Sequence, residues 1–216
     1  MKWCHVIDKD DNIFRKMIKQ CTEKDFLEMY GIINDAARKY AGKIPADRWH
    51  EPYMPEEELR HEIQDGAVFW GYYSPKLVGV MGIQDKGDVA LIRHAYVTPK
   101  EQGRGIGGEL IEKLKNQTEK PILVGTWKAT TWAISFYEKH GFEEVDEETK
   151  NFLLRKYWSI PERQVATSTV LADSASMKKF SAARRSSSQG PPLRSSAARQ
   201  LPTRAGISSP DTGGLL

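Results

Sequence analysis

Cysteine is scarce in this 216-residue chain: Cys4 and Cys21 are the only two. Two thiols in a chain of this length do not make the disulfide framework of a small secreted domain. They read as free thiols in a reducing compartment. Long apolar runs are also missing. No stretch approaches the ~20 residues that span a bilayer, and Met1 to His5 leads into no apolar segment of a secretory leader. The expectation is a cytoplasmic protein with no membrane role, and no metal is expected.

Acidic residues are almost absent from one end. Residues 175–216 hold seven Lys/Arg and a single Asp, a net +6, so residues 1–174 carry −3 of the chain's total of +3. The pI near 8.7 therefore belongs to the tail, and the body is mildly acidic. The tail is rich in Ser, Ala, Arg, Pro and Gly and poor in large apolar residues. It cannot bury enough apolar surface to fold, so 175–216 is expected to be disordered. Its charge would suit an acidic partner, but a solvated extension accounts for the same composition, and no nucleic-acid partner is expected. The tail also explains the mean hydropathy of −0.56. What remains is long enough for one domain with a real core.

Residues 1–13 are polar and unpatterned and read as a loose arm. A first strand is expected over Phe14–Gln20. Thr22 and Asp25 have the spacing of a capping box, and Phe26, Tyr30, Ile33 and Ala37 continue as a helical stripe. Ala41–Met54 is loop-like, with Gly42, Pro45 and Pro52, yet it holds Trp49, His50 and Tyr53. Pro55 and the three glutamates after it open a short helix. Ala67–Tyr73 and Leu77–Ile83 read as a hairpin turning at Ser74, Pro75 and Lys76. Later elements are a strand at Ile122–Trp127, a strand at Phe142–Val145, a helix over Thr149–Trp158 and a last strand at Val165–Leu171.

Between these lies the most informative stretch, Leu91 to Asn116. It begins as a strand ending at Val97, because Pro99 lacks an N–H and restricts Thr98. Gly103, Gly105, Gly107 and Gly108 follow within six residues, and Ile106, Leu110, Ile111 and Leu114 then recur at helical spacing. A strand, a glycine turn and a helix N-terminus present bare N–H groups to an anion. Two phosphate-binding signatures are incomplete here. No Lys-Ser or Lys-Thr pair follows the glycines, as a P-loop needs. The dinucleotide fingerprint wants an acid ~20 positions on, where Ile122–Trp127 is followed by Lys128.

Gln102, Gly105 and Gly107, five residues after the strand, resemble the pyrophosphate loop of the GNAT family of acetyl-CoA-dependent N-acetyltransferases. A second stretch strengthens the resemblance. Ala133, Phe136, Tyr137, Gly141 and Phe142 match the family's next helix and the strand after it, with Thr130 where the family often has an asparagine that bonds pantetheine. The resemblance implies an α/β (α+β) fold over residues 14–174: a mixed, mostly antiparallel, twisted sheet of about seven strands flanked by helices. It implies acetyl-CoA as co-substrate, held by Gln102, Gly103, Arg104, Gly105, Ile106, Gly107, Gly108 and Thr130. It also implies that the strand splays from its neighbour, so that Tyr96 and Val97 meet the thioester. Tyr137 matches the family's general acid. A phenol near pKa ~10 is protonated at neutral pH and can reprotonate a leaving thiolate.

The resemblance implies a primary amine as acceptor, on a small molecule or a protein. The positions where family enzymes often carry an acid or base are Leu91 and Arg93 here, and neither can take a proton. Arg93 would bind a substrate anion or pair with a nearby glutamate. Strand alternation sends His94 to the opposite face from Arg93. Trp49 and Tyr53 would wall the acceptor site, and His50, Glu51 and Glu56 lie in the same region. The base stays unassigned, and a homodimer is left open. A rival reading is a GNAT-fold acyl-CoA-binding sensor or partner-binding module without efficient catalysis.

Overall fold

A computed structural model describes residues 16–158, 160–174 and 176. The expected N-terminal arm and nearly all of the basic tail lie outside the described residues.

The described residues form one seven-stranded sheet in the order β1-β2-β3-β4-β5-β7-β6. The strands are β1 Met17–Gln20, β2 Ala67–Tyr73, β3 Leu77–Asp85, β4 Ala90–Val97, β5 Ile122–Trp127, β6 Phe142–Glu144 and β7 Ser168–Asp173. Every neighbouring pair is antiparallel except β4 and β5. That one parallel pair needs a crossover, and α3 (Ile106–Lys115) supplies it. The remaining helices are α1 Phe26–Ala37, α2 Glu56–Gln64, α4 Thr131–Lys139, α5 Glu147–Tyr157 and α6 Glu162–Thr167.

Local chemistry explains the boundaries. The Thr22 N–H and hydroxyl both donate to the Asp25 carboxylate at 2.8 Å, which starts the turn leading into α1. Asp146 caps α5 by accepting from the Thr149 N–H at 3.0 Å. Gly79 in β3 lies directly under α3: a Cβ there would meet the Ile106 side chain at 2.9 Å. The last strand departs from the sequence reading. Val165 to Thr167 close α6, and the strand begins only at Ser168. Pro161 at the N-cap and Glu162 in the first turn start that helix, and its Val165 is buried. The β-branched run in the sequence hides this start.

Two apolar cores flank the sheet. The larger joins α1 and α3 to β2–β4 through Phe26, Ile33, Phe69, Val80, Ile106 and Leu110. The smaller packs Leu153, Leu154, Trp158 and Val165 on Leu91, Leu123 and Val170. Among the described residues, no helix is long and apolar enough to cross a membrane.

Candidate active site

The glycine stretch forms a loop between β4 and α3. Gly103 and Gly105 have φ of 78° and 83°, the left-handed region that side chains resist. Gly105 is the N-cap of α3, and its carbonyl accepts the Glu109 N–H at 3.0 Å. The first N–H groups of the helix have no partner one turn earlier and face outward, with the positive end of the dipole behind them. The Gln102 side chain donates to the Val97 carbonyl at 3.0 Å and ties the loop to the strand end. Gly107 and Gly108 serve another purpose. A Cβ on Gly107 would meet the Phe136 ring at 3.1 Å, and one on Gly108 would meet His140 at 2.8 Å. Their bareness lets α4 approach the start of α3.

A cavity of about 410 Å³ opens between this loop, β4 and α4. Tyr96 and Val97 line it from the strand, and Tyr137 from α4. Gln102, Gly103, Gly105, Ile106, Gly107 and Gly108 line it from the loop. Eight of the ten residues expected at the cofactor are therefore brought together, with Tyr137 beside them. The other two sit elsewhere. Arg104 points outward and pairs with Glu101 at 2.8 Å. Thr130 is fully buried, and its hydroxyl donates to the Trp127 carbonyl at 2.7 Å. It shapes the turn into α4 and does not line the cavity. Tyr40 and Trp132, absent from the sequence reading, also face the cavity and stack at 5.9 Å.

Burial raises the Tyr137 phenol well above its ordinary pKa of 10, so it is held as a proton donor. Its ring is fixed edge-on by Phe136 at 5.1 Å and Phe142 at 5.8 Å.

The strand beside the cavity is irregular. β4 pairs with β5 only from Ala90 to Ile92. Beyond Ile92 the register with β5 stops, and the two strands separate. On its other side β4 carries a bulge: Tyr96 pairs with Val80 and Arg93 with Gly82, so His94 and Ala95 share Met81. His94 has φ of 46°, the sole positive φ at a non-glycine position among the described residues. The bulge corrects the alternation expected from sequence. His94 and Arg93 point the same way, towards α2, and meet one carboxylate. The His94 Nε2 is 2.5 Å from the Glu62 Oε2, and the Arg93 Nε is 3.8 Å from the same oxygen. Arg93 also donates to Gln84 at 3.1 Å. It lines neither this cavity nor the next, and is engaged by a glutamate, the second option its sequence position left open.

Glu62 is the residue that sequence reasoning missed. It is 5% exposed. Burial pushes its carboxyl up, but the charges of His94 and Arg93 outweigh that and hold it down at about 2. The signal was available: Glu62 follows Leu59 by three positions, on the inward stripe of α2.

A second cavity of about 310 Å³ is lined by Trp49, Tyr53, Asn34, Asp35, Arg38 and Glu51, among others. Trp49 stacks on Tyr53 at 5.7 Å, and Tyr53 lies 5.7 Å from Tyr40. The Tyr40–Tyr53 pair is thus a wall shared with the first cavity. The loop is pinned to α1, because the Asn34 amide donates to the Met54 carbonyl at 3.0 Å and accepts its N–H at 2.8 Å. His50 contacts Tyr53 from the solvent side at 6.3 Å, and Glu56 is paired with Arg60 at 2.9 Å. No group of three or more potential metal ligands occurs among the described residues.

Solved structures share this fold. PaiA N-acetyltransferase from Thermoplasma acidophilum, in complex with coenzyme A, aligns with a TM-score of 0.56 at 18% identity, covering 74% of this chain and 98% of that one. A GNAT acetyltransferase from Staphylococcus aureus Mu50 aligns at 0.55 and 20% identity, over 74% and 98%. The ribosomal-protein-S18-alanine N-acetyltransferase from Escherichia coli aligns at 0.52 and 16% identity, over 74% and 93%. No curated protein sequence matches. The family model for the acetyltransferase (GNAT) domain matches residues 21–154, well over half of the chain, and the protein belongs to that family.

Proposed function

We propose that this acetyltransferase moves the acetyl group of acetyl-CoA to a primary amine on a small molecule or a protein. The observation that carries the reading is one cavity into which the left-handed glycine loop, the start of α3, the end of β4 that has left β5 and Tyr137 all open. Coenzyme A in the T. acidophilum relative supports the cofactor, and the alanine acceptor of the E. coli relative supports an amine.

Each step has a group to perform it. The loop N–H groups and helix dipole suit the pyrophosphate. The β4 backbone near Val97, beyond the last residue that pairs with β5, suits the thioester carbonyl, where negative charge develops. The amine nitrogen attacks the carbonyl carbon, the carbon–sulfur bond breaks, and the departing thiolate takes the Tyr137 proton. The proton released by the amine restores the phenol through solvent. Trp49 and Tyr53 wall the side from which the acceptor enters.

The test is a panel of small amines and N-terminal peptides incubated with acetyl-CoA. Free CoA is read together with the mass of the product. The expected result is stoichiometric CoA release and a 42 Da gain, the mass that one acetyl group adds in place of hydrogen, about the same for every acceptor. Tight acetyl-CoA binding with no turnover on any member would contradict the reading and favour a sensor.

A further inference from the structure

The buried polar group between α2 and β4 lies outside the cleft. His94 is held in a left-handed backbone conformation that a bulky side chain adopts only when its surroundings impose it. The surroundings are identifiable. The imidazole lies between the rings of Phe69 at 6.0 Å and Tyr96 at 6.4 Å, both near parallel to it. Its Nε2 is bonded to Glu62. Its Nδ1 is buried without a partner. Glu62 therefore anchors the ring, and the ring anchors the bulge.

Glu62 is itself placed firmly. Arg93 sits beside it and donates to Gln84, whose amide donates to the Asp65 carbonyl at 3.0 Å, at the end of α2. Glu58, one turn back on α2, also faces the group, while Lys86 and the phenol of Tyr53 act on it from a distance. The chain of contacts ties α2 to β3 and β4 at the point where β4 leaves β5. The next two residues after His94 are Ala95 and Tyr96, and both line the cleft.

We infer that Glu62 and His94 are a positioning pair for acetyl transfer. Through the bulge they set the angle at which the β4 backbone lining the cleft from Ala95 to Val97 meets the acyl carbonyl. The inference rests on the acetyltransferase reading, and it separates two functions of the cleft. The glycine loop holds the cofactor's phosphates and does not depend on the pair. The acyl contact does.

The experiment compares the wild type with Glu62→Gln, Glu62→Ala and His94→Gly. Glutamine keeps an oxygen that can accept the Nε2–H, so it should restore much of what alanine removes. Glycine accepts a positive φ without strain, so His94→Gly removes the anchor while leaving the bulge permitted. The expected result is a kcat at least tenfold lower in Glu62→Ala and His94→Gly, with the Kd for CoA within about threefold of wild type. Glu62→Gln should fall between alanine and wild type. Calorimetry with acetyl-CoA and with CoA needs no acceptor: the wild-type preference for the acetylated form should shrink in the same two variants. This separates failure of the pair from failure of the broader reading, which would show as no turnover in the wild type. Folded variants with unchanged kcat and unchanged acetyl-CoA preference would overturn the inference. So would a loss of CoA affinity and kcat in equal proportion. If alanine and glycine prevent folding, Glu62→Gln decides alone: a wild-type kcat with a lowered melting temperature would make the pair purely structural.

Discussion

The proposed chemistry turns on one atom, the hydroxyl oxygen of Tyr137. Its ring is 1% exposed, and its phenol is kept protonated by burial. Tyr137→Phe keeps the packing against Phe136 and Phe142 and removes only the donor. The account expects kcat to fall by roughly 10²-fold or more, the scale of a lost proton transfer. Acetyl-CoA affinity should change by less than about tenfold, since one hydrogen bond contributes on the order of 1 kcal/mol. Steady-state kinetics under conditions where chemistry limits turnover, paired with calorimetry, would check both. The place of Tyr137 at the cavity was legible in the sequence because its motif is local: Phe136, Tyr137 and Gly141 occupy one helix and its exit. Thr130 shows the limit of that logic. It stands at the expected place in the motif, but its hydroxyl is spent on the Trp127 carbonyl. No sequence spacing reports where a hydroxyl points.

At the scale of elements, the clamp of α2 on the sheet carries a pH signature. Glu62 ionises at about 2 in the folded chain, against 4.5 in its ordinary state. An unfolded chain therefore takes up the proton first as pH falls. The stabilisation is complete above about 4.5 and is lost as pH drops through the folded value, with about 3 kcal/mol as its upper bound. Between pH 6 and pH 3 the wild type should lose more melting temperature than Glu62→Gln. Equal losses, followed by circular dichroism across that range, would mean that the carboxylate is not held ionised by His94 and Arg93. The elements themselves were largely readable. Hairpin, glycine turn and amphipathic helices have periodicities that the chain displays openly, and β5 runs over the residues expected. The bulge in β4 was not readable. One extra residue inverts the alternation from His94 onward, and nothing in the letters Arg93, His94 and Ala95 marks it. The inward position of Glu62 could be read from its spacing to Leu59, but its pairing with His94 could not, because the bulge brings His94 to that side. The start of α6 was missed because alternating Val165, Thr167 and Thr169 obscured the proline N-cap.

For the whole molecule, the question is where the packed body ends. Ser176 belongs to it: its hydroxyl donates to the Ile122 carbonyl at 3.1 Å and to Asp173 at 2.6 Å. A chain ending at Met177 should keep both turnover and melting temperature, because the composition of the tail offers almost no apolar surface to bury. A chain ending at Ser174 loses all three Ser176 hydrogen bonds, and its melting temperature should fall by roughly 2–4 °C if about 1 kcal/mol is lost. Thermal melts of the two truncations would check this. A large loss of turnover in the longer one would show that the basic tail docks on the body.

Across all scales the account depends on one claim: the cleft beside β4 takes acetyl-CoA, with its pyrophosphate on the loop from Gln102 to Gly108. Titration calorimetry of acetyl-CoA into the wild type, Gly105→Asn and Gly105→Glu tests it most directly. Asparagine tolerates the left-handed conformation better than other side chains, so it controls for strain at φ of 83°. Glutamate adds bulk and a negative charge where the anion sits. The account predicts clear binding to the wild type, a modest loss in Gly105→Asn, and a loss of roughly 10²-fold or more in Gly105→Glu, about 2.7 kcal/mol. Wild-type affinity in a folded Gly105→Glu protein would contradict it.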